Sequence, residues 1–113
     1  MKVDTKGHTI TIKDTEGVDL HAGLDITADS MIIEKHFPNS FFQTDLKQLL
    51  DQFNVDKLII TGMMTHMCVD ATTRAAKELG YDTIVVADAT ATRDLSFAGY
   101  NLNAETVQQV LLA

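Results

Sequence analysis

The chain is 113 residues long, 45% of its residues are apolar, and its formal net charge at pH 7 is −7. This length predicts one domain, and the apolar fraction is high enough to fill a core. An acidic surface repels phosphate backbones, and no apolar run approaches the roughly 20 residues that cross a bilayer. We therefore expect neither a nucleic-acid partner nor a membrane partner.

The N-terminal stretch and the cysteine content favour a cytoplasmic protein. The start, MKVDTKGHTITIKD, has no apolar core of the kind that secretory signals contain. The only cysteine, Cys68, cannot form a disulfide within the chain, which fits a reducing compartment. The motifs CxxC, HExxH and GxGxxG are absent, so we expect neither a zinc ribbon nor a dinucleotide-binding fingerprint.

The first half of the chain predicts two strands and one helix. Most of residues 1–25 are predicted to be loop, with a short edge strand in the alternating stretch HTITIK, 8–13. The apolar run 31–33 predicts a buried strand. The stretch TDLKQLLDQF, 44–53, has a helical spacing of apolar residues and a threonine that suits the N-cap position, Thr44. The residues on its apolar face are Leu46, Leu49, Leu50 and Phe53.

The second half repeats the alternation of strand and helix. We predict strands at 58–60 and 83–87, and a helix over 68–79 that Gly80 ends in the C′ position. A third helix is predicted to start at Asn103. Its apolar face consists of Val107, Val110 and Leu111. This order indicates an α/β protein with a parallel sheet, and strands that are apolar throughout suggest that helices cover both faces.

Three residues that can carry chemistry lie where predicted strands end. Lys35 ends the first apolar strand, Cys68 follows the second, and Asp88 ends the third, so all three are expected along one edge of the sheet. At a helix N-terminus, Cys68 is either a nucleophilic thiolate or a small buried hydrophobe. Lys35 either enters a cleft to hold or polarise a substrate or is a solvated surface lysine. Asp88 is either a catalytic acid or, as we prefer, the cap of a turn.

The residues around these positions allow two interpretations each. In GMMTHMC, 62–68, Met63 and Met67 are predicted to fill space, and His66 is either a proton carrier or a partly exposed wall residue. The aromatic residues of FPNSFF, 37–42, either line an apolar pocket or belong to the core. His21 has no partner at a metal-ligand spacing, so we expect no metal and no cofactor.

Two long stretches resemble the isochorismatase-like cysteine hydrolases, the superfamily that includes nicotinamidases. They are EKHFPNSFFQTDL, 34–46, and LIITGMMTHMCVDATTRAAKELGYDTIVVADATATRD, 58–94. The patterns SFF-x-T-x-L and G-x-x-T-x-x-C-V-x-x-T-x-R-x-A occur in order at spacings similar to those of the family. The resemblance runs from about Gly17 to the C-terminus. It implies a three-layer α/β/α fold, Rossmann-like in its parallel sheet.

The resemblance also implies a mechanism and a set of site residues. Family members use an Asp, a Lys and a Cys, which makes Lys35 and Cys68 the catalytic candidates in this chain. The implied oxyanion hole consists of the backbone N–H groups of Met64 and Cys68, next to a cis peptide bond between Met63 and Met64. A cysteine nucleophile favours hydrolysis of C–N bonds. We predict a substrate pocket lined by Phe37, Phe41, Phe42, Thr65 and His66.

The chain departs from the family pattern at both ends. The family's Asp belongs to an N-terminal segment that precedes the part found here, and the sequence stops at VQQVLLA inside the last predicted helix. We therefore expect a single domain, 1–113, truncated at the N-terminus and also at the C-terminus. The strand at 31–33 is expected to lack a neighbour that links it to the strand at 58–60. Aspartates available within the N-terminal part of the chain are Asp4, Asp14, Asp19 and Asp25.

Three functional hypotheses follow. The first is a cysteine hydrolase scaffold that acts on a small amide when complete, in a homo-oligomer or with a complementing chain, because exposed sheet edges invite pairing. The second is a non-catalytic remnant or interaction protein that keeps the fold, because the catalytic Asp is absent. The third is a redox-sensing thiol, which requires an exposed Cys68.

Overall fold

The computed structural model describes residues 23–113 and the backbone of two N-terminal strands. The strands are β1 (Lys2–Thr5), β2 (His8–Lys13), β3 (Met31–Glu34), β4 (Lys57–Met63), β5 (Asp82–Ala91), β6 (Leu95–Phe97) and β7 (Tyr100–Leu102). The helices are α1 (Leu46–Gln52), α2 (Asp70–Glu78) and α3 (Ala104–Leu112), and a π-helical turn (Thr65–Val69) runs into α2. No helix in this part of the chain has the length and apolar character needed to span a bilayer.

Five strands form the main sheet in the order β3-β2-β1-β4-β5. The pairs β2–β3 and β4–β5 are parallel, whereas β1 is antiparallel to both β2 and β4. The predicted strand 8–13 is confirmed, but its edge position was wrong, because β2 lies between β1 and β3. The expectation that nothing links β3 to β4 was also wrong. β1 was not predicted because its sequence, KVDT, has a single apolar residue and therefore no strand pattern.

The core lies on one face of this sheet. Residues of β3, β4, α1 and α2 bury their side chains together there, including Ile33, Leu58, Ile60, Leu46, Leu50 and Ala76. Because successive strand residues point to opposite faces, their neighbours lie on the other face. Ile32 is 53% exposed, Ile59 is 38% exposed and Ile84 is 45% exposed. The α/β class is confirmed, and the sheet with its packed helices fits an α/β/α fold that is incomplete in this chain, as expected.

The helix ends and the apolar face of α3 agree with the sequence prediction in two places and differ from it in two. Gly80 has a φ of 93° and follows Leu79, the C-cap residue of α2, as predicted. The predicted helix start at Asn103 is confirmed, and its side chain caps α3 by accepting a hydrogen bond from the Thr106 N–H at 2.8 Å. The N-cap position of α1 is Asp45, one residue after Thr44, whose hydroxyl oxygen accepts the Leu46 N–H at 3.3 Å. Val107 is buried in the α3 interface, but Val110, predicted on the same face, is 67% exposed.

The third predicted strand is longer than expected. β5 continues to Ala91, so Asp88 lies within the strand and is exposed, and its predicted position at a strand end was wrong. The pairing with β4 shifts here, from Ile60 opposite Val85 to Gly62 opposite Thr90, and this shift forms a bulge in β5. A short hairpin of β6 and β7 follows, which was not predicted because strands of three residues are too short to show a clear pattern.

Candidate active site

The structure brings Lys35 and Cys68 into contact at the edge where β3 and β4 end. Lys35 Nζ donates a hydrogen bond to Cys68 Sγ at 3.3 Å. Both side chains are buried, with 2% of Lys35 and 8% of Cys68 exposed. The alternative of a solvated surface lysine was therefore wrong. The exposure that a redox-sensing thiol requires is also not found at Cys68.

Cys68 lies in the first turn of a helical segment that starts earlier than predicted. The helical conformation begins at Thr65, whereas the sequence predicted residue 68, because MTHM shows no amphipathic pattern. The Met64 carbonyl accepts hydrogen bonds from the N–H groups of Met67 at 3.0 Å and Val69 at 3.3 Å. The latter bond spans five residues and defines the π-helical turn. Directly before it, the peptide bond between Met63 and Met64 is cis, the geometry that the resemblance assigns to this bond.

The first two residues of the π-helical turn are held by side chains from later elements. The Thr65 hydroxyl donates to Gln108 Oε1 of α3 at 2.7 Å, and Thr65 is only 2% exposed. The His66 Nδ1 atom lies 2.5 Å from the Thr92 hydroxyl, directly after β5. Sequence reasoning missed Gln108 and Thr92, since no spacing in the sequence connects them to the turn.

The segment that follows Lys35 is anchored to α2 by buried hydroxyl groups. The Thr72 hydroxyl oxygen accepts the Ser40 N–H at 3.0 Å and lies 2.8 Å from the Ser40 hydroxyl oxygen. Ser40 and Thr72 are both fully buried. Sequence reasoning assigned them no role, although Ser40 opens the pattern SFF-x-T-x-L and Thr72, four residues after Cys68, lies in the second pattern and shares the helix face of Cys68. This contact keeps the segment after β3 beside the helix that follows Cys68.

The three phenylalanines predicted for the pocket have different surroundings. Phe37 and Phe42 are 42% and 48% exposed, and their rings meet edge to face at 4.8 Å between centroids. Phe41 packs against the core and stacks on Tyr81 at 5.9 Å between centroids. Phe41 and Phe42 also border a depression together with Asn39, Lys47, Ala75, Glu78 and Leu79. Glu78 ends α2, roughly 15 Å along the helix from Cys68, so the pocket role of Phe41 stays a prediction.

A small polar cluster adjoins this aromatic contact. The Lys47 ammonium beside Asp51, 2.7 Å away, lowers the pKa of that carboxyl, and Asp51 in turn raises the pKa of Lys47. Tyr81 donates a hydrogen bond from its hydroxyl to Asp51 Oδ1 at 3.3 Å. Burial raises the pKa of the Tyr81 phenol, and the negative charge of Asp51 adds to the increase.

The remaining acidic and metal candidates are outside this centre or outside the described residues. Asp25 is exposed, and the side chain of Asp4 in β1 lies outside the described residues, as do Asp14, Asp19 and His21. The part of the chain that the structure describes contains no cluster of three or more His, Cys, Asp or Glu side chains suited to a metal ion. The expectation of no metal stays a prediction for the chain as a whole.

Known proteins resemble this chain over most of its length. It is 44% identical over 99 residues to the uncharacterized isochorismatase family protein YddQ of Bacillus subtilis, a match that covers 88% of this chain and 55% of YddQ. The crystal structure of a putative isochorismatase hydrolase from Oleispira antarctica superposes with a TM-score of 0.86 at 36% identity, covering 91% of this chain and 61% of that one. Streptothricin hydrolase of Streptomyces noursei is 36% identical over 84 residues, which are 74% of this chain and 30% of that enzyme.

These comparisons confirm the resemblance found in the sequence. The chain spans only 55% to 61% of YddQ and of the Oleispira protein, so it corresponds to a little more than half of each. The sequence model of the isochorismatase domain matches residues 5–110. The chain therefore belongs to the isochorismatase domain family.

Proposed function

We propose that this chain carries the nucleophile of an amide hydrolase of the isochorismatase family, and that Cys68 is that nucleophile. The observation that carries the proposal is the 3.3 Å hydrogen bond from Lys35 Nζ to Cys68 Sγ between two buried side chains. Lysine is rarely buried without a partner. An ammonium group beside a thiol favours the thiolate, which is the form that attacks a carbonyl carbon.

In the proposed reaction, the Cys68 thiolate attacks the carbonyl carbon of the amide, and the C=O electron pair moves onto the oxygen. The backbone N–H groups of Met64 and Cys68 are the proposed donors to this oxyanion. When the carbonyl re-forms, the C–N bond breaks and a thioester remains. The departing nitrogen takes up the proton that Cys68 gave up, through an acid that the family resemblance identifies as an aspartate. Water then hydrolyses the thioester to a carboxylic acid and the free thiol. No residue of the described chain is assigned to that acid.

The names of relatives support a small amide as the substrate class. Streptothricin hydrolase of Streptomyces noursei, ureidoacrylate amidohydrolase RutB of Serratia proteamaculans and nicotinamidase 3 of Arabidopsis thaliana are all similar to this chain. The last two of these names denote hydrolysis of an amide at its carbon–nitrogen bond. We propose the same bond for this chain and assign no individual substrate.

Partly exposed side chains in the segments that follow β3 and β4 are the candidates for substrate contact. Phe37, Phe42 and His66 retain exposed surface that a small molecule can cover. Thr65 is less suited, because its hydroxyl is hydrogen bonded to Gln108. Phe41 is less suited, because it packs against the core.

Turnover by the purified chain tests the proposal. We expect release of ammonia or amine from a panel containing nicotinamide, a ureido acid and a streptothricin. We also expect the Cys68→Ser variant to lose that activity by about a thousandfold or more, because a hydroxyl next to an ammonium is a far weaker nucleophile than a thiolate. Activity that survives in Cys68→Ser would show that another group does the chemistry.

A second candidate is a protein that keeps the family fold without its chemistry. It is favoured by a relative, 39% identical over 83 residues, named a probable inactive nicotinamidase in Arabidopsis thaliana. Absence of turnover across the panel, from a folded protein whose Cys68 still reacts with iodoacetamide, would favour this candidate.

A further inference from the structure

The carboxamide of Gln108 connects three parts of the chain that are distant in sequence. Its oxygen accepts a hydrogen bond from the Thr65 hydroxyl at 2.7 Å. Its nitrogen donates to the Thr90 hydroxyl at 2.8 Å, to the Thr90 carbonyl at 3.2 Å and to the Ala87 carbonyl at 3.3 Å. One side chain of α3 therefore joins the π-helical turn to the carboxyl-terminal part of β5.

These contacts lie on both sides of Met64 in the structure. Thr65, which follows Met64, is bonded to Gln108 directly. Met63, which precedes it, is paired with Ala91 of β5, next to the Gly62–Thr90 pair. Gln108 thus holds Thr65 directly, and it holds Met63 indirectly through the strand with which Met63 pairs.

The bulge of β5 explains why a donor is needed at this place. Between the pairs Ile60–Val85 and Gly62–Thr90, the four residues 86–89 lie opposite Thr61 alone, so the regular ladder is interrupted. Backbone carbonyls in an interrupted ladder need other hydrogen-bond donors. The Gln108 amide donates to the carbonyl of Ala87, within this interruption, and to the carbonyl of Thr90, directly after it.

We infer that Gln108 is a positioning residue that aims the backbone N–H of Met64 at the oxyanion of the proposed reaction. The inference rests on the proposed function, and Gln108 itself touches no reacting atom. A carboxamide is suited to this task because one end accepts a hydrogen bond and the other donates. In Gln108→Glu, one carboxylate oxygen still accepts the hydrogen bond from Thr65. The other oxygen replaces the amide nitrogen and cannot donate to the carbonyls of Ala87 and Thr90.

The variant Gln108→Glu tests this inference, with Gln109→Glu as its matched control. Gln109 is the next residue of α3 and is exposed, so the control makes the same change of charge and shape on the same helix. Three quantities are measured on each folded protein. They are kcat and KM for an amide, the rate of Cys68 alkylation by iodoacetamide, and the affinity for benzaldehyde, which forms a tetrahedral adduct with a thiol.

We expect Gln108→Glu to lower kcat and benzaldehyde affinity about tenfold or more, because both require the oxyanion donors. KM and the alkylation rate should stay within about twofold of the wild type, because alkylation requires only the thiolate. Gln109→Glu should match the wild type in every measurement. Thr65→Val, which removes the hydroxyl that bonds to Gln108 and adds no charge, should reproduce the pattern if Gln108→Glu fails to fold.

Different failures have different meanings. If the wild type binds benzaldehyde but hydrolyses no amide, the proposed function fails, and the affinity ratio between Gln108→Glu and Gln109→Glu still decides the role of Gln108. Equal benzaldehyde affinities in these variants would overturn the inference. An equal loss of alkylation and benzaldehyde affinity would also overturn it, because Gln108 would then support the whole turn. A wild type that neither forms a benzaldehyde adduct nor hydrolyses an amide would overturn both proposals.

Discussion

Two segments leave the same edge of the sheet, and they are held in different ways. The π-helical turn, Thr65–Val69, follows β4, and its side chains are tied to Lys35, Gln108 and Thr92 by polar contacts. The aromatic segment, 37–42, follows β3 and is anchored to the Thr72 hydroxyl through Ser40 and the Pro38 carbonyl. Its rings at Phe37 and Phe42 remain about half exposed.

This difference indicates how the two segments can serve one site. Directional hydrogen bonds to buried groups set the positions of the turn's atoms, which is what a reacting thiol and an oxyanion donor require. Exposed rings that contact mainly each other can be changed with little effect on the fold. We therefore expect substitutions near the turn to alter chemistry and substitutions in the aromatic segment to alter stability or substrate preference.

The largest expected effect in this comparison is on the reactivity of Cys68 when its charged neighbour is removed. Lys35→Met keeps much of the buried volume but deletes the ammonium that lies 3.3 Å from the sulfur. We expect the rate of Cys68 alkylation at neutral pH to fall roughly tenfold or more, because the thiolate loses its neighbouring positive charge. Alkylation with iodoacetamide, followed by intact-protein mass spectrometry, measures the rate.

Lys47→Met is the control for this variant, since Lys47 lies on the exposed side of α1 and pairs with Asp51. It should react at the wild-type rate. If Lys35→Met also reacts at the wild-type rate, Lys35 does not activate the thiol. The expectation that contacts of the π-helical turn control chemistry would then be wrong for Lys35.

An intermediate effect is expected within the aromatic segment itself. Phe41→Ala removes a ring that packs on the core and on Tyr81, so we expect a loss of about 2 kcal/mol in the free energy of unfolding. Phe42→Ala removes a ring that is 48% exposed, and we expect a loss of at most about 1 kcal/mol, from its contact with Phe37. Urea unfolding of both variants measures the two losses. Equal losses would contradict the expectation that Phe41 contributes more to stability than Phe42.

The smallest expected effect is the response of stability to alkaline pH. The pKa of Tyr81 is raised above its ordinary value of 10.0 in the folded protein, mainly by burial. The folded state therefore holds the phenol proton more tightly than the unfolded chain. The resulting stability is complete below pH 10.0 and is lost as pH rises through the raised pKa.

Urea unfolding across an alkaline pH series measures this loss, with Tyr81→Phe as the reference. The unfolding free energy of the wild type minus that of Tyr81→Phe should fall as pH rises above 10.0. A difference that stays constant or grows with pH would contradict the assigned sign.

Much of the candidate site was predictable from local sequence, but the residues that hold the π-helical turn in place were not. The strand–helix alternation placed Lys35 and Cys68 at one edge, and the structure confirms their contact. The roles of Met64 and of the pocket residues stay predictions. Gln108 could not be found from the sequence, because a contact between residues 65 and 108 depends on how α3 packs beside the turn.

Local pattern by itself determined the elements whose apolar residues recur at a clear period. These include β3, β4, α1 and the greater part of α2. The end of α2 at Gly80 and the start of α3 at Asn103 were also predictable, because these residue types are typical of helix ends. These features depend on interactions between residues a few positions apart, which a sequence records directly.

The features that depend on pairing between distant residues could not be predicted from sequence and were found only in the three-dimensional structure. The antiparallel insertion of β1, the bulge of β5 and the start of the helical segment at Thr65 are of this kind. So are the burial of Lys35 and the exposure of Val110, since the same residue type is compatible with either environment. Burial is set by which elements pack together, and a local apolar pattern does not record that arrangement.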